Sequence, residues 1–216
     1  MSFKIQHIIF HTVDDLPQGS NKWQLFRKGK ITASNAYKLV LKGKNAAIME
    51  NKKGVYNNSY TDRGHSLEFE VKERLNAQLA KDGYVINEFG ALENENYPDC
   101  AYSPDGVVFP LSLKKLGWDD WRKIPLIEVK CYNDVTEHAD GTKSFPMKHT
   151  RCCEDYNNVP IAAKFQMQFG MMIAERDICY LVLYNPDCEN PENRIRIYPV
   201  FKDEKIQERI KEALNK

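Results

Sequence analysis

The fold and the function predicted for this chain depend most on the segment IPLIEVKC, residues 124–131. Its apolar residues alternate with Glu128 and Lys130, which is the two-residue period of a β-strand. Glu128 and Lys130 therefore share one face of the strand, beside Leu126. Because charge on an otherwise apolar strand is costly unless it is paired or bound to a metal, this strand predicts a functional site.

A second acidic element precedes this strand, in the segment SPDG at residues 103–106. Alone, the segment predicts a β-turn, because Pro presets φ and Gly tolerates positive φ. Together with the strand it forms the pattern Asp105…Glu128-x-Lys130. Two carboxylates from neighbouring strands can hold Mg²⁺, and the lysine beside them can orient or deprotonate an attacking water. A β-hairpin with a surface Glu/Lys pair is the alternative.

Length and composition are those of an ordinary globular protein. The 216 residues predict one domain spanning 1–216, long enough to bury a sizeable core. Hydrophobic residues make up 42% and charged residues 28%, and the net charge is only +1. The overall charge therefore does not indicate a nucleic-acid-binding protein.

The distribution of charge is more informative than its sum. Nine Lys and Arg residues and one acid lie in the segment 22–53, whereas 84–113 holds five acids and no Lys or Arg. A basic segment beside an acidic one suits a phosphate polymer that is brought to a metal site. A solvated, lysine-rich helix is the alternative.

Arg27 and Ser34 flank the predicted start of a helix that ends near Gly43. Either Thr32 or Ser34 is a suitable N-cap. A helix N-terminus with free N–H groups, a hydroxyl and a nearby arginine predicts a phosphate site. Simple capping with a surface arginine is an equally good interpretation of these residues alone.

Two polar residues lie within predicted core helices. Glu68 sits at the edge of the apolar stripe of a helix over 63–81, where it can either reach the metal carboxylates or extend into solvent. Gln166 interrupts a helix over 160–176 that is apolar nearly all round. It is predicted to face the active cleft, with a core amide satisfied by other partners as the alternative.

The remaining pattern predicts an α/β (α+β) protein with a central mixed β-sheet flanked by helices. The further predicted elements are a strand over 3–12, a helix capped by Ser20 that carries Trp23 inward, a polar loop over 43–60, a strand over 84–92, a long polar loop over 132–158, strands over 178–184 and 194–201, and an amphipathic C-terminal helix with Ile206, Ile210 and Leu214.

Cysteine usage and hydropathy bear on the compartment. The six cysteines lack the density of a disulfide-rich protein, and no signal peptide or membrane span is evident in the sequence. A reduced, cytoplasmic location is the expectation.

Several segments together resemble one family, the phage lambda-type exonucleases or YqaJ-type viral recombinases of the PD-(D/E)xK nuclease superfamily. The resemblance covers roughly residues 18–184. The segments that carry it, in the family's order, are QGSNKWQLFRKGKITAS (18–34), RGHSLEFE (63–70), YSPDGVV (102–108), LIEVKC (126–131) and VPIAAKFQMQFGM (159–171).

The resemblance implies a restriction-endonuclease-like core and a 5′→3′ exonuclease that degrades one strand of linear double-stranded DNA. It implies Mg²⁺, in two ions and replaceable by Mn²⁺, as the cofactor. It also implies recombination beside a single-strand annealing protein, a ring-shaped homotrimer, and a phage or prophage gene expressed in bacterial cytoplasm.

The resemblance also assigns site residues. The metal ligands would be Asp105, Glu128, Glu68 and the Val129 carbonyl. Lys130 would activate water, and Gln166 would help to position Lys130 or the scissile phosphate. The 5′-phosphate would be bound by Arg27 and Ser34.

The chain departs from the family at Ala163 and Lys164, where relatives often carry aromatic residues, and its segment 132–158 is longer than expected. Two other functions are compatible with the same residues. One is a sequence-specific restriction endonuclease whose long loop reads bases in the major groove. The other is a non-catalytic module that binds DNA ends, although a complete Asp105, Glu128 and Lys130 set disfavours it.

Overall fold

The computed structural model describes residues 2–50, 59–111, 118–131, 136–137, 143–144, 159–186, 188 and 191–216. Most of the predicted long loop over 132–158 lies outside these residues. Only two short strands of that segment are described.

Twelve strands and seven α-helices make up the described part of the chain. In chain order they are β1 (Phe3–Ile5), β2 (Ile8–Thr12), α1 (Asn21–Arg27), β3 (Ile31–Thr32), α2 (Ala36–Lys42), α3 (Lys44–Glu50), α4 (Ser59–Leu79), β4 (Tyr84–Asn87), β5 (Phe89–Asn94), β6 (Cys100–Ala101), β7 (Gly106–Pro110), α5 (Trp118–Lys123), β8 (Leu126–Cys131), β9 (Thr136–Glu137), β10 (Lys143–Ser144), α6 (Ile161–Ala174), β11 (Ile178–Tyr184), β12 (Ile195–Phe201) and α7 (Glu204–Leu214).

A five-stranded mixed sheet in the order β12-β11-β8-β7-β4 lies at the centre. β11 runs parallel to β8, and the other neighbours pair antiparallel. Helices cover both faces: α4 packs Val71 and Leu75 against one face, and α6 packs against the other. This confirms the predicted mixed sheet flanked by helices. A second sheet, β1-β2-β5, adjoins the same large core.

Strand β8 places its side chains as the alternating pattern predicts. Ile127 and Val129 belong to the smaller cluster under α4, whereas Leu126 belongs to the main core under α6. Glu128 shares the Leu126 face and is fully buried. The one charged residue buried in this strand thus faces α6, the helix that carries Gln166.

The two predicted N-caps have different outcomes. The Ser20 hydroxyl accepts a hydrogen bond from the Trp23 N–H at 3.2 Å, which confirms it as the N-cap of α1. The prediction that Thr32 or Ser34 caps α2 is wrong. Thr32 precedes a 3₁₀ turn over Ala33–Asn35 that contains Ser34, and neither the 3₁₀ turn nor α2 has a side-chain cap.

Two predicted strands are each divided in the structure. The strand predicted over 3–12 is a hairpin, because Gln6 adopts a positive φ of 50° and reverses the chain between β1 and β2. The strand predicted over 84–92 is β4 and β5, which pair with β7 and β2 respectively and so belong to different sheets. A hydrophobic pattern predicts extended backbone but does not identify its pairing partner.

The loop predicted over 43–60 contains a helix, α3, and the start of α4. Gly43, at φ 82°, ends α2, and good helix formers such as Ala46 and Ala47 follow it. Ala47 is buried, and its carbonyl accepts a hydrogen bond from the Asn35 side chain at 3.2 Å. Tertiary contacts therefore stabilise α3, although the polar composition of this segment predicted a loop.

Candidate active site

The pairing of β7 with β8 brings the two predicted acids together. Gly106 pairs with Ile127 and Val107 pairs with Leu126. Continuing this antiparallel register by one residue places Asp105 opposite Glu128. The Asp105 carboxylate is held there because its Oδ2 accepts a hydrogen bond from the Val129 N–H at 2.7 Å.

Glu128 is the centre of a polar cluster between β8 and α6. Its Oε1 accepts hydrogen bonds from Lys130 Nζ and from Gln166 Nε2, each at 2.5 Å. Lys130 Nζ also contacts Gln166 Oε1 at 3.4 Å. The structure therefore brings together four of the predicted site residues, Asp105, Glu128, Lys130 and Gln166. Lys130 remains accessible, with 31% of its side chain exposed, whereas Glu128 is almost fully enclosed.

The electrostatics of this cluster favour a bound cation. Burial raises the pKa of Asp105 well above its usual range, and the neighbouring Glu128 and Glu68 carboxyls raise it further. Burial likewise raises the pKa of Glu128, although Lys130 opposes this shift. Glu128 is buried and Asp105 is partly buried, and two such carboxyl groups that face each other resist ionising together unless a positive charge joins them.

The unpartnered oxygens show what kind of cation fits. Glu128 Oε2 is buried and has no hydrogen-bond partner, and the only hydrogen bond of Asp105 among the described residues is made through Oδ2. Carboxylate oxygens are the ligands that Mg²⁺ prefers. The donor set therefore fits a hard divalent cation, which the buried, unpartnered oxygen of Glu128 could bind.

Glu68 takes a different position from the other two acids. Its Oε1 accepts a hydrogen bond from Lys72 Nζ at 3.0 Å, one helical turn along α4, and Lys72 also pairs with Glu88. Among the described residues, no group of three or more His, Cys, Asp and Glu side chains lies close enough together to hold a metal ion. A role for Glu68 as a third ligand stays a prediction.

Arg27 and Ser34 meet, as predicted, at the end of α1. Arg27 Nη2 donates to the Ser34 hydroxyl at 3.4 Å and to the Thr32 hydroxyl at 3.3 Å. Burial lowers the pKa of Arg27 to about 10, which leaves it a cation at neutral pH. Since no carboxylate among the described residues pairs with it, this cation can receive an anion.

Comparisons with known proteins bear on this geometry. No protein-family model matches the chain, and no curated protein gives a significant sequence match. Among solved structures, the chain is similar to the alkaline exonuclease LHK-Exo from Laribacter hongkongensis in complex with dAMP. That match has 20% identity, covers 90% of this chain and 89% of the other, and has a TM-score of 0.64.

A phage-related exonuclease from Haemophilus somnus 129PT is also similar, with 14% identity, coverage of 89% of this chain and 93% of the other, and a TM-score of 0.53. The chain has a lambda-type exonuclease fold. At these identities the likeness establishes the fold, and the predicted resemblance is confirmed at that level.

Within this exonuclease fold, the structure adds two residues, Tyr102 and Thr32, whose place beside the predicted site residues was not predicted from the sequence. Tyr102 is fully buried, and its hydroxyl has no hydrogen-bond partner among the described residues. Burial raises its pKa well above the usual range, and Glu128 adds to the effect. The sequence signal for this buried ring is the glycine at position 170 in α6. Any other residue there would place a Cβ 2.6 Å from the Tyr102 ring. Thr32 beside Arg27 was predicted only as a helix cap.

Proposed function

We propose that the protein is a divalent-metal-dependent exonuclease that degrades one strand of linear double-stranded DNA in the 5′→3′ direction. The observation that carries this proposal is the convergence of Asp105, Glu128, Lys130 and Gln166 in one polar cluster of an exonuclease fold. Because LHK-Exo was crystallised with dAMP, a nucleoside 5′-monophosphate is a suitable product to test.

The acids are proposed to hold the metal. Asp105, Glu128 and the Val129 carbonyl would bind Mg²⁺, with Mn²⁺ as a substitute, and Glu68 would join them if two ions bind. Bound divalent ions supply Lewis acidity toward the scissile phosphate and the attacking water. The Val129 N–H holds the Asp105 carboxylate in place and so fixes the position of its charge.

Lys130 and Gln166 are proposed to act on the reacting groups. Lys130 is the accessible cation of the cluster, so it can orient or deprotonate the water and offset negative charge that develops on the phosphate. Gln166 donates to the same Glu128 oxygen as Lys130 and contacts the Lys130 ammonium. It can therefore hold Lys130 in a single orientation.

Arg27 and Ser34 are proposed to bind the 5′-phosphate of the strand being degraded. Among the described residues, the Arg27 guanidinium donates only to two neutral hydroxyls, which a phosphate can replace with a stronger, charge-assisted contact. A terminal phosphate carries about one more negative charge than an internal diester, so the pocket would select the end of a strand.

The biological setting is proposed from the sequence resemblance. The enzyme would act in recombination beside a single-strand annealing protein, as a homotrimeric ring, in the cytoplasm of a bacterium that carries the phage or prophage. No helix among the described residues combines the length and apolar character that crossing a membrane requires. Light scattering of the purified protein measures the oligomeric state, with three chains expected.

Digestion of end-labelled DNA tests the activity. With Mg²⁺, the protein should release labelled mononucleotides from the 5′ end of a linear duplex and leave a closed circular duplex intact, and EDTA should stop the reaction. Cutting of the circle would instead identify a restriction-type endonuclease. Binding of ends without cleavage would identify a non-catalytic module.

A further inference from the structure

Trp23 contacts both the Arg27 pocket and the turn that carries Asp105. Its indole Nε1 donates to the Ser103 hydroxyl at 2.9 Å and to the Gly90 carbonyl at 3.0 Å. The Ser103 hydroxyl in turn donates to the Gly90 carbonyl at 2.9 Å. The Arg27 guanidinium carbon lies 4.0 Å from the centre of the indole ring. One side chain therefore joins the predicted phosphate pocket to the residues just before Asp105.

Gln18 makes a second connection to the same turn. Its Nε2 donates to the Phe89 carbonyl at 2.8 Å and to the carbonyl of Pro104, the residue before Asp105, at 3.1 Å. The backbone fits closely at this point, because a Cβ at Gly90 would lie 1.9 Å from the Leu16 carbonyl oxygen. We name Gln18, Trp23 and Ser103 the Trp23 network.

We propose that Trp23 is a positioning residue that fixes the distance between Arg27 and Asp105, so that binding of a 5′-phosphate by Arg27 aligns the scissile bond with the catalytic carboxylates. This inference rests on the proposed exonuclease function. Rate depends steeply on the position of the reacting atoms, and binding energy that improves alignment raises kcat rather than lowering KM. Through the Trp23 network, binding of the 5′-phosphate therefore raises the rate of cleavage.

The variant Trp23→Phe isolates the indole N–H. It retains an aromatic ring for Arg27 and removes the donor to Ser103 and Gly90. We expect the kcat ratio between 5′-phosphorylated and 5′-hydroxyl duplexes to fall by about three- to ten-fold, the range of one neutral hydrogen bond. Binding of the phosphorylated duplex in Ca²⁺ should not change. A variant of Arg27, in contrast, should lose affinity as well as rate.

Ser103 supplies an independent test with its own rescue. Ser103→Ala should lower the same kcat ratio, and Ser103→Thr, which retains the hydroxyl, should restore it. In the double variant Trp23→Phe/Ser103→Ala the loss should be smaller than the product of the two single losses, because both variants remove the hydrogen bond between Trp23 and Ser103. This series also carries the test if Trp23→Phe fails to fold.

Trp121→Phe is the matched control. Trp121 also donates its indole N–H to a carbonyl, that of Ala174 at 3.4 Å, and also has an arginine, Arg176, stacked on its ring. Its ring also contacts Phe10 and Phe109, which are not among the residues proposed for catalysis or phosphate binding. Its substitution should leave the kcat ratio at the wild-type value, which separates a loss of positioning from a general effect of removing an indole.

The outcomes separate the two proposals. If the wild-type protein shows no end-dependent digestion or no preference for a 5′-phosphate, the proposed function fails and the role of Trp23 fails with it. If the wild-type protein prefers the 5′-phosphate and both Trp23→Phe and Ser103→Ala keep the full kcat ratio, the role of Trp23 alone is overturned. Additive losses in the double variant would also overturn it.

Discussion

Two arginine–tryptophan pairs in this molecule have the same composition and opposite surroundings. In one, Arg176 stacks 3.4 Å from the centre of the Trp121 ring and is only 1% exposed. Its Nη1 donates to the backbone carbonyls of Trp121 and Ile124 at 2.8 and 2.9 Å. In the other, Arg27 stacks on Trp23, and within the described part of the chain its guanidinium donates only to two side-chain hydroxyls, at 3.3 and 3.4 Å.

The difference shows how one kind of contact can stabilise a fold in one place and serve a site in another. Burial lowers the pKa of Arg176 to about 9 and that of Arg27 to about 10, so both are cations at neutral pH. Backbone carbonyls cannot leave Arg176 without breaking the structure. The hydroxyls that contact Arg27 are neutral partners at long distances, so a phosphate can displace them.

The largest effect on the free energy of unfolding is expected for Arg176→Ala. Two buried carbonyls lose their donor and a cavity forms, while the cost of burying a charge is relieved. We expect a net loss of about 2–4 kcal/mol in the free energy of unfolding. Urea unfolding measures it, and the 5′-phosphate preference of the folded variant should be normal. A stable variant with altered preference would break the comparison.

Arg27→Ala should have the reverse profile. A charge-assisted hydrogen bond contributes roughly 1.5–3 kcal/mol, so the ratio of digestion rates between 5′-phosphorylated and 5′-hydroxyl duplexes should fall by about ten- to a hundred-fold. The free energy of unfolding should change little. If both substrates slow equally, Arg27 is a general DNA contact or a structural residue, and the phosphate pocket lies elsewhere.

Asp105→Asn should stabilise the protein while removing its activity. A carboxyl whose folded-state pKa is raised holds its proton longer in the folded than in the unfolded protein, so stability falls as the pH rises above the ordinary aspartate value. Asparagine retains an acceptor for the Val129 N–H and cannot ionise. In EDTA at pH 8 we expect a gain of about 1–2 kcal/mol in urea unfolding.

The same variant should have a weaker dependence of stability on pH above the ordinary aspartate pKa, with Glu128 accounting for what remains. Mg²⁺ should raise the melting temperature of the wild-type protein and have little effect on Asp105→Asn. A variant less stable than the wild type in EDTA would contradict this interpretation of the buried acids.

The smallest effect is expected for Ser34→Ala. Its hydroxyl is one of two beside Arg27, and the contact is long at 3.4 Å. Removing one neutral partner should lower the 5′-phosphate preference by about two- to ten-fold, less than the loss in Arg27→Ala. An effect as large as that of Arg27→Ala would mean that Ser34, rather than the guanidinium, dominates the pocket.

Local patterns predicted much of the fold and most of the site. The alternation in residues 126–131 predicted the strand and the face that Glu128 shares with Leu126, and the apolar stripe of 63–81 predicted α4. The ordered segments predicted the exonuclease fold. These features depend on residues that are close together in the sequence, so its periodicity and spacing predict them.

Contacts between distant segments were not predictable in the same way. The division of 84–92 into two strands depends on pairing with β7 and β2. The bond between Trp23 and Ser103 joins residues far apart in the chain, and the pattern predicted Trp23 only as an apolar residue facing inward. The engagement of Glu68 with Lys72 depends on rotamers that a helical stripe does not specify.

The most direct measurement of the central claim is single-turnover cleavage of a 5′-phosphorylated linear duplex in Mg²⁺, with DNA binding measured in Ca²⁺. Asp105→Ala, Glu128→Ala and Lys130→Ala should each lose at least about 10²–10³ in rate and still bind DNA. Lys202→Ala, which removes a surface ion pair with Glu204, is the control and should cleave normally. Turnover above about one percent of wild type in any of the three would contradict the assignment.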